Sequence, residues 1–244
     1  MIGLGTAINA AGIIIGGIAG LIVGKGLTKR FQDIVMCALG LSVIFISVAG
    51  ALKEMLIINN SQISTQGTLM IIFSLVLGAL TGEAIDIESR IVHFGEYLKE
   101  KTNSKKDSRF VDGFVMASLT VCVGAMAVIG AINDGISGDY SILLTKAILD
   151  ATVILVMTAT YGKGCIFSVI PVVLFQGTIT VLAKLMVPVM TAPALSNLSL
   201  VGSVLIFCVG INLTFDKKIK VANLLPSIIF AFVCTYDSKN YGRQ

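Results

Sequence analysis

Eight stretches of this sequence, residues 2–23, 34–52, 69–85, 113–132, 141–160, 165–185, 198–213 and 221–236, each run for 16 to 22 residues with at most two charges. A helix of about 20 apolar residues crosses the hydrocarbon core of a bilayer, so the spacing predicts a chain that passes through a lipid bilayer repeatedly. Composition agrees. With 55% hydrophobic and 13% charged residues among 244, too little polar surface exists to cover a soluble globule. No alternating ten-residue pattern of barrel strands is present, and lipid-exposed backbone must satisfy its own hydrogen bonds. The expected fold is therefore all-α, a polytopic transmembrane helix bundle with 7–8 spans. The last run has 16 residues and contains Pro226, so it reads either as a short eighth span or as a re-entrant segment.

Charge divides and orients the chain. Ile87, Ile91, Phe94 and Leu98 fall on one helical face between the third and fourth runs, with Arg90, Glu96 and Lys99 elsewhere, which predicts an amphipathic surface helix. The polar stretch that follows is the one plausible linker. It separates an N-terminal membrane half, residues 1–101, from a C-terminal half, residues 112–244, across a cytoplasmic linker at 102–111. If the amino terminus lies outside and every run crosses, thirteen of the 18 Lys and Arg residues fall inside, four outside (Lys53, Lys184, Lys239 and Arg243), and Lys146 within a span. The excess of positive charge on inner loops favours that orientation.

Small residues give the packing. Gly12, Gly16 and Gly20 recur every four positions in the first run, a seam for close helix approach. Such seams could hold another helix of the chain, a partner or a second copy in a homo-oligomer. An internal repeat is also suggested. Residues 35–51 align without gaps on 115–131 with seven of 17 positions identical, Gly50 with Gly130 and Ala51 with Ala131 among them. Transporters are often built from such repeats, with the binding site where the repeats meet.

Several function classes are excluded by what the chain lacks. There is no Gly-x-Ser-x-Gly, HExxH or P-loop, so no enzyme activity and no cofactor are expected. His93 is the only histidine, and the cysteines Cys37, Cys122, Cys165, Cys208 and Cys234 all lie in apolar runs without CxxC spacing. They read as small core residues rather than disulfides or metal ligands. The formal charge of +4 is no nucleic-acid signal, because the basic residues gather in loops between spans; no nucleic-acid partner is expected.

What remains is a set of polar residues at membrane depth, where an unpaired charge costs at least about 2.5 kcal/mol. Lys146 and Asp150 stand four apart on the fifth run and can pair, either as a structural bridge or as part of a solute or ion site. Asn133, Asp134 and Asp139, with Gly135 and Gly138 beside them, offer hard oxygens for a cation in a turn-rich break expected outside the membrane; turn chemistry alone accounts for Asn-Asp-Gly equally well. Gln176, five residues after Pro171, is placed to face the same cavity if the proline frees carbonyls there. Thr6 and Asn9 of the first run face the bundle interior on this reading. Glu83 stands at the edge of the third run, followed by Asp86 and Glu88.

The chain also resembles a known family. Gly5-Thr6-Ala7-Ile8-Asn9 with Gly16-Gly17 and Gly20, the Gly82-Glu83 to Ile87-Glu88 edge, the run from Gly124 through Asn133-Asp134-Gly135, Pro171 to Gln176-Gly177, and Asn223-Leu224-Leu225-Pro226 are similar to the YqgA/YdfK-type bacterial membrane proteins, domain of unknown function 554. The resemblance covers nearly the whole chain. It implies a multi-pass protein of the bacterial cytoplasmic membrane, often described as a transporter, and brings no assigned substrate or site. Two functions are carried forward: a transporter or channel for a small solute or ion, and a membrane-embedded interaction or scaffold protein without transport activity.

Overall fold

The computed structural model of the chain describes residues 2–59, 62–105, 107–122, 124–188, 190–215 and 219–241. Lys106, Lys217, Lys218 and Arg243, which entered the charge count, lie outside the described residues. In order the chain forms α1 (Leu4–Gly24), α2 (Lys29–Met55), a hairpin of β1 (Leu56–Asn59) and β2 (Gln62–Thr65), α3 (Thr68–Ile85) and α4 (Ile87–Lys101). It continues with α5 (Phe110–Cys122), α6 (Ala125–Ser137), α7 (Ser141–Tyr161), a 3-10 turn (Lys163–Ser168), α8 (Val169–Val181), α9 (Ala183–Met186), α10 (Ala192–Phe215), α11 (Val221–Leu224) and α12 (Ser227–Tyr241). Among the described residues, six helical segments are long and apolar enough to cross a membrane, and the bent pair α5–α6 is a seventh when taken as one span. Ile15, Ile22, Phe45, Ile46, Phe73 and Leu174 point away from the protein, an apolar coat that water would not tolerate and lipid requires.

The glycine seam of α1 is filled by α7. A methyl group added at Gly12 would lie 2.8 Å from the Ala147 carbonyl oxygen, and one at Gly24 2.7 Å from that of Ala159; at Gly16 and Gly20 it would collide with the carbonyl oxygens of Ala151 and Leu155. Both series advance in the same sense, so the two helices run parallel. A chain that ends α1 at one face and begins α7 at the other must cross an odd number of times between them. Those crossings are α2, α3 and the α5–α6 pair taken as one. We call the face where α1 begins the near end and its opposite the far end.

The remaining helices follow the same alternation. Gly40 of α2 packs on Thr214 of α10 and Gly50 on Ser203, an antiparallel pair closed at the near end by the Ser196 hydroxyl donating to Glu54 Oε2 at 2.6 Å. Gly82 and Gly78 of α3 meet Asn223 and Ser227 in turn, which sets α11 and α12 antiparallel to α3. The Asn197 amide of α10 donates to Thr235 Oγ1 at 3.1 Å and to the Ala231 carbonyl at 3.3 Å. Since Asn197 is in the second turn of α10, α12 climbs from the far end nearly to the near end. Its course is that of a crossing segment.

The fourth run departs from the expected span. It breaks at Gly124, whose φ of 146° and ψ of 147° only glycine adopts readily, and α6 leaves α5 at 63°. Asn133-Asp134-Gly135, expected as an extramembrane turn, is helical and inside α6. Gly135 serves close approach: a side chain there would meet the Thr180 carbonyl oxygen and Ala183. The turn itself is shifted to residues 138–140, where Gly138 takes φ 70°. The two stretches of the suggested repeat also differ in conformation, because 35–51 lies in unbroken α2 and 115–131 straddles the break.

The core is densest around α5. Phe110, Phe114, Leu119 and Val121 are buried there against Ile154 and Met157 of α7, Cys165 and Val172. The amphipathic α4 leans its apolar face on this helix, with Leu98 buried and Phe94 edge-on to Phe114 at 5.8 Å. Pro171 is the third residue of α8, just past the change from 3-10 to α winding, and Gln176 follows in unbroken helix.

Candidate functional site

Breaking a helix at Gly124 ends the backbone hydrogen-bond ladder and leaves carbonyls at the end of α5 without helical partners. One of them belongs to Val121, buried in the core. Lys146 of α7 supplies its donor: Nζ lies 2.8 Å from the Val121 carbonyl oxygen. A cation there also complements the negative end of the α5 dipole. The same ammonium lies within hydrogen-bond distance of both carboxylate oxygens of Asp150, at 2.8 and 2.7 Å. Both side chains are about nine-tenths buried. Asp150 is nine residues into α7, roughly 14 Å below its near end and so close to mid-depth of the membrane.

Above the pair, toward the near end, lies Asp134 of α6, fully buried. Its Oδ2 accepts the Gly5 N–H at 3.2 Å. Gly5 is the second residue of α1, so the carboxylate caps that helix from outside and is held by its positive end. Thr6, on the same face, approaches Thr180 of α8 at 3.5 Å between hydroxyls. One turn further in, Asn9 of α1 and Gln176 of α8 are fully buried. Because α1 and α8 run antiparallel and meet at Thr6 and Thr180, these two amides stand at nearly the same level. Asn9 comes near Asp150 without a well-formed hydrogen bond.

This layer contains polar atoms that the protein does not satisfy. Among the described residues, both side-chain atoms of Asn9, both of Gln176 and Oδ1 of Asp134 have no hydrogen-bond partner. Each such buried group costs about 1–3 kcal/mol, and five in one region are a large concession for a membrane bundle to make for packing alone.

Of the eight residues singled out in the sequence, the structure joins Lys146 with Asp150 and brings Asn9 near Asp150, and it buries Asp134 and Gln176 on the neighbouring helices α6 and α8. Asn133 is half-buried on α6, and its carbonyl accepts the Ser137 hydroxyl at 2.9 Å. Asp139 is exposed and serves the start of α7, where Oδ1 accepts the Ser141 hydroxyl at 2.5 Å and the Ser141 N–H at 3.0 Å. These bonds hold its carboxyl below the usual range. Glu83 is at the far end, where it bonds Lys220 Nζ and the Asn223 amide, each at 2.6 Å. Sequence reasoning missed Thr180, the Gly5 N–H and the Val121 carbonyl. Main-chain groups leave no signature in residue types, and Gly124 is one glycine among 25.

The family described as "protein of unknown function (DUF554)" matches residues 4–236. The chain belongs to this family. It is 28% identical over 238 residues to the "uncharacterized membrane protein YdfK" of Bacillus subtilis (strain 168), covering 98% of each chain. To the "uncharacterized protein YqgA" of Escherichia coli (strain K12) it is 24% identical over 232 residues, covering 93% of this chain and 94% of that one. No solved structure matches. The matched region contains every element from α1 through most of α12. With its apolar helices and the membrane protein YdfK as a full-length relative, this DUF554 chain is a multi-pass membrane protein.

Chemically, the site is a paired charge at mid-depth beneath a fully buried carboxylate and two amides. Among the described residues no group of three His, Cys, Asp or Glu is placed to hold a metal ion.

Proposed function

We propose that this DUF554 protein is a transporter or channel for a small solute or ion in the bacterial cytoplasmic membrane, with its amino terminus and the near end outside. The observation that carries this reading is the broken α5–α6 span, whose free Val121 carbonyl is met by the buried Lys146–Asp150 pair under the unpartnered polar atoms of Asn9, Asp134 and Gln176. Discontinuous helices with polar groups near mid-depth are where solutes bind in many transporters. A helix broken this way can also bend at Gly124 at little cost, so opening and closing of the near end need not disturb the tightly seamed α1–α7 pair.

The alternative, an interaction or scaffold protein without transport, draws on the glycine seams. Those seams support it weakly, because Gly12, Gly16, Gly20, Gly24, Gly40, Gly78 and Gly82 are occupied by helices of the same chain. Flux into liposomes holding purified protein, across a panel of cations, anions and amino acids, separates the two. Transport of a panel member is expected, and Asp134→Asn is expected to insert, stay monodisperse and lose it. Full transport by that variant would reduce Asp134 to the cap of α1.

A further inference from the structure

The chemistry of the buried layer narrows the class of ligand. The charge of Lys146 is already matched by Asp150, and its ammonium also donates to the Val121 carbonyl, so the pair offers no net positive charge to an anion. With that pair neutral as a unit, Asp134 is the remaining carboxyl group of the layer, and among the described residues it forms no ion pair. The unpartnered acceptors above the pair are Asp134 Oδ1, Asn9 Oδ1 and Gln176 Oε1, and the Thr6 and Thr180 hydroxyls close the side toward the near end. All are hard oxygens.

We infer that Asp134, Asn9 and Gln176, with Thr6 and Thr180, form a binding site for a small monovalent cation of the alkali-metal type. One carboxylate among neutral oxygens balances a single positive charge. A divalent ion would leave an excess positive charge in a low-dielectric interior, where it is costly, and an anion would face Asp134. Asn9, Asp134 and Gln176 have no exposure, so the layer has no room for an organic solute and admits at most a bare ion. This assignment deepens the transport reading and rests on it for the location of the site, whether the ion is the cargo or travels with it.

The test is thermal unfolding of the purified full-length chain in detergent, with choline chloride replaced stepwise by lithium, sodium or potassium chloride at constant ionic strength and pH. Binding to the folded state alone raises the midpoint in a saturable way. Such a rise is expected for at least one alkali cation and not for choline. Asp134→Asn is expected to abolish it. Gln176→Met removes two unsatisfied atoms, so it is expected to unfold at a higher temperature than the parent in choline and to bind the ion with about tenfold lower affinity. A midpoint that is flat in all three salts overturns the assignment, as does an undiminished rise in Asp134→Asn. If Asp134→Asn does not fold, an undiminished affinity in Gln176→Met overturns it. The two readings fail separately: solute flux without any cation response overturns the cation site and leaves transport standing, whereas cation binding without flux of any panel member does the reverse.

Discussion

The Lys146 ammonium of α7 donates to the Val121 carbonyl oxygen, 2.8 Å away in the last turn of α5. That bond makes Lys146 a partner of two different structures, the ion pair on its own helix and the end of a broken one. Removing it should therefore have a cost that restoring neutrality does not fully recover. Lys146→Met leaves Asp150 buried and uncompensated, an expected loss of about 3 to 5 kcal/mol. The double variant Lys146→Met, Asp150→Leu removes the lone charge and should regain part of the loss. It still leaves the Val121 carbonyl without its donor, about 1 to 3 kcal/mol below the parent. Denaturant unfolding of the three proteins in detergent measures both steps. A double variant as stable as the parent would show that the bond to Val121 contributes nothing.

The α1–α7 seam yields a paired test on glycines with opposite surroundings. At Gly16 an added methyl group would collide with the Ala151 backbone, whereas at Gly177 in α8 it would meet nothing within 4 Å. Gly16→Ala must force two parallel helices apart along their length, an expected cost of about 1 to 3 kcal/mol. Gly177→Ala should be neutral or stabilise by up to about 1 kcal/mol, since alanine is the better helix former. Thermal unfolding in one detergent ranks the two. Equal effects would mean the seam is not close-packed.

What was legible in the sequence follows from which signals survive tertiary packing. The four-residue spacing of Gly12, Gly16 and Gly20 announced a close helix contact, and Gly24 extends it. Lys146 and Asp150 announced their pairing, because i and i+4 face each other on any helix. The environment of Asn133-Asp134-Gly135 was not legible. Those residues carry turn chemistry in water, but Gly135 is there to let α6 approach Thr180, and Asp134 reaches a main-chain N–H of a helix 129 residues away. The break at Gly124 lies among residues as apolar as any other run, so composition could not mark it.

The loop between α6 and α7 titrates in a predictable sense. Bonds from the Ser141 hydroxyl and N–H hold the Asp139 carboxyl below its usual range. A depressed acid contributes stability that is present above its unfolded value and lost as pH falls through its folded one. Asp139→Ala should therefore be less stable than the parent at neutral pH, and the gap should shrink as pH falls below the ordinary carboxylate range. Unfolding midpoints of both proteins across an acid series check this. A gap independent of pH would assign the effect to something other than the carboxylate.

The parallel course of α1 and α7 fixes relative sidedness, and the lysine and arginine distribution sets its absolute sense. A reporter after Lys105, in the connection from α4 to α5, should read as cytoplasmic. One in residues 61–67, a stretch that includes β2 (Gln62–Thr65) at the near end, should read as external. The carboxyl terminus decides between the two readings of the last run. Since Asn197 holds Thr235 and Ala231 close to the near end of α10, α12 has completed most of a crossing. A reporter after Gln244 should then share the side of residues 61–67. A cytoplasmic signal there, with the other two as stated, would show that the chain turns back after α12. An inverted result at all three positions would keep the helix packing and overturn only the assignment of the near end to the outside.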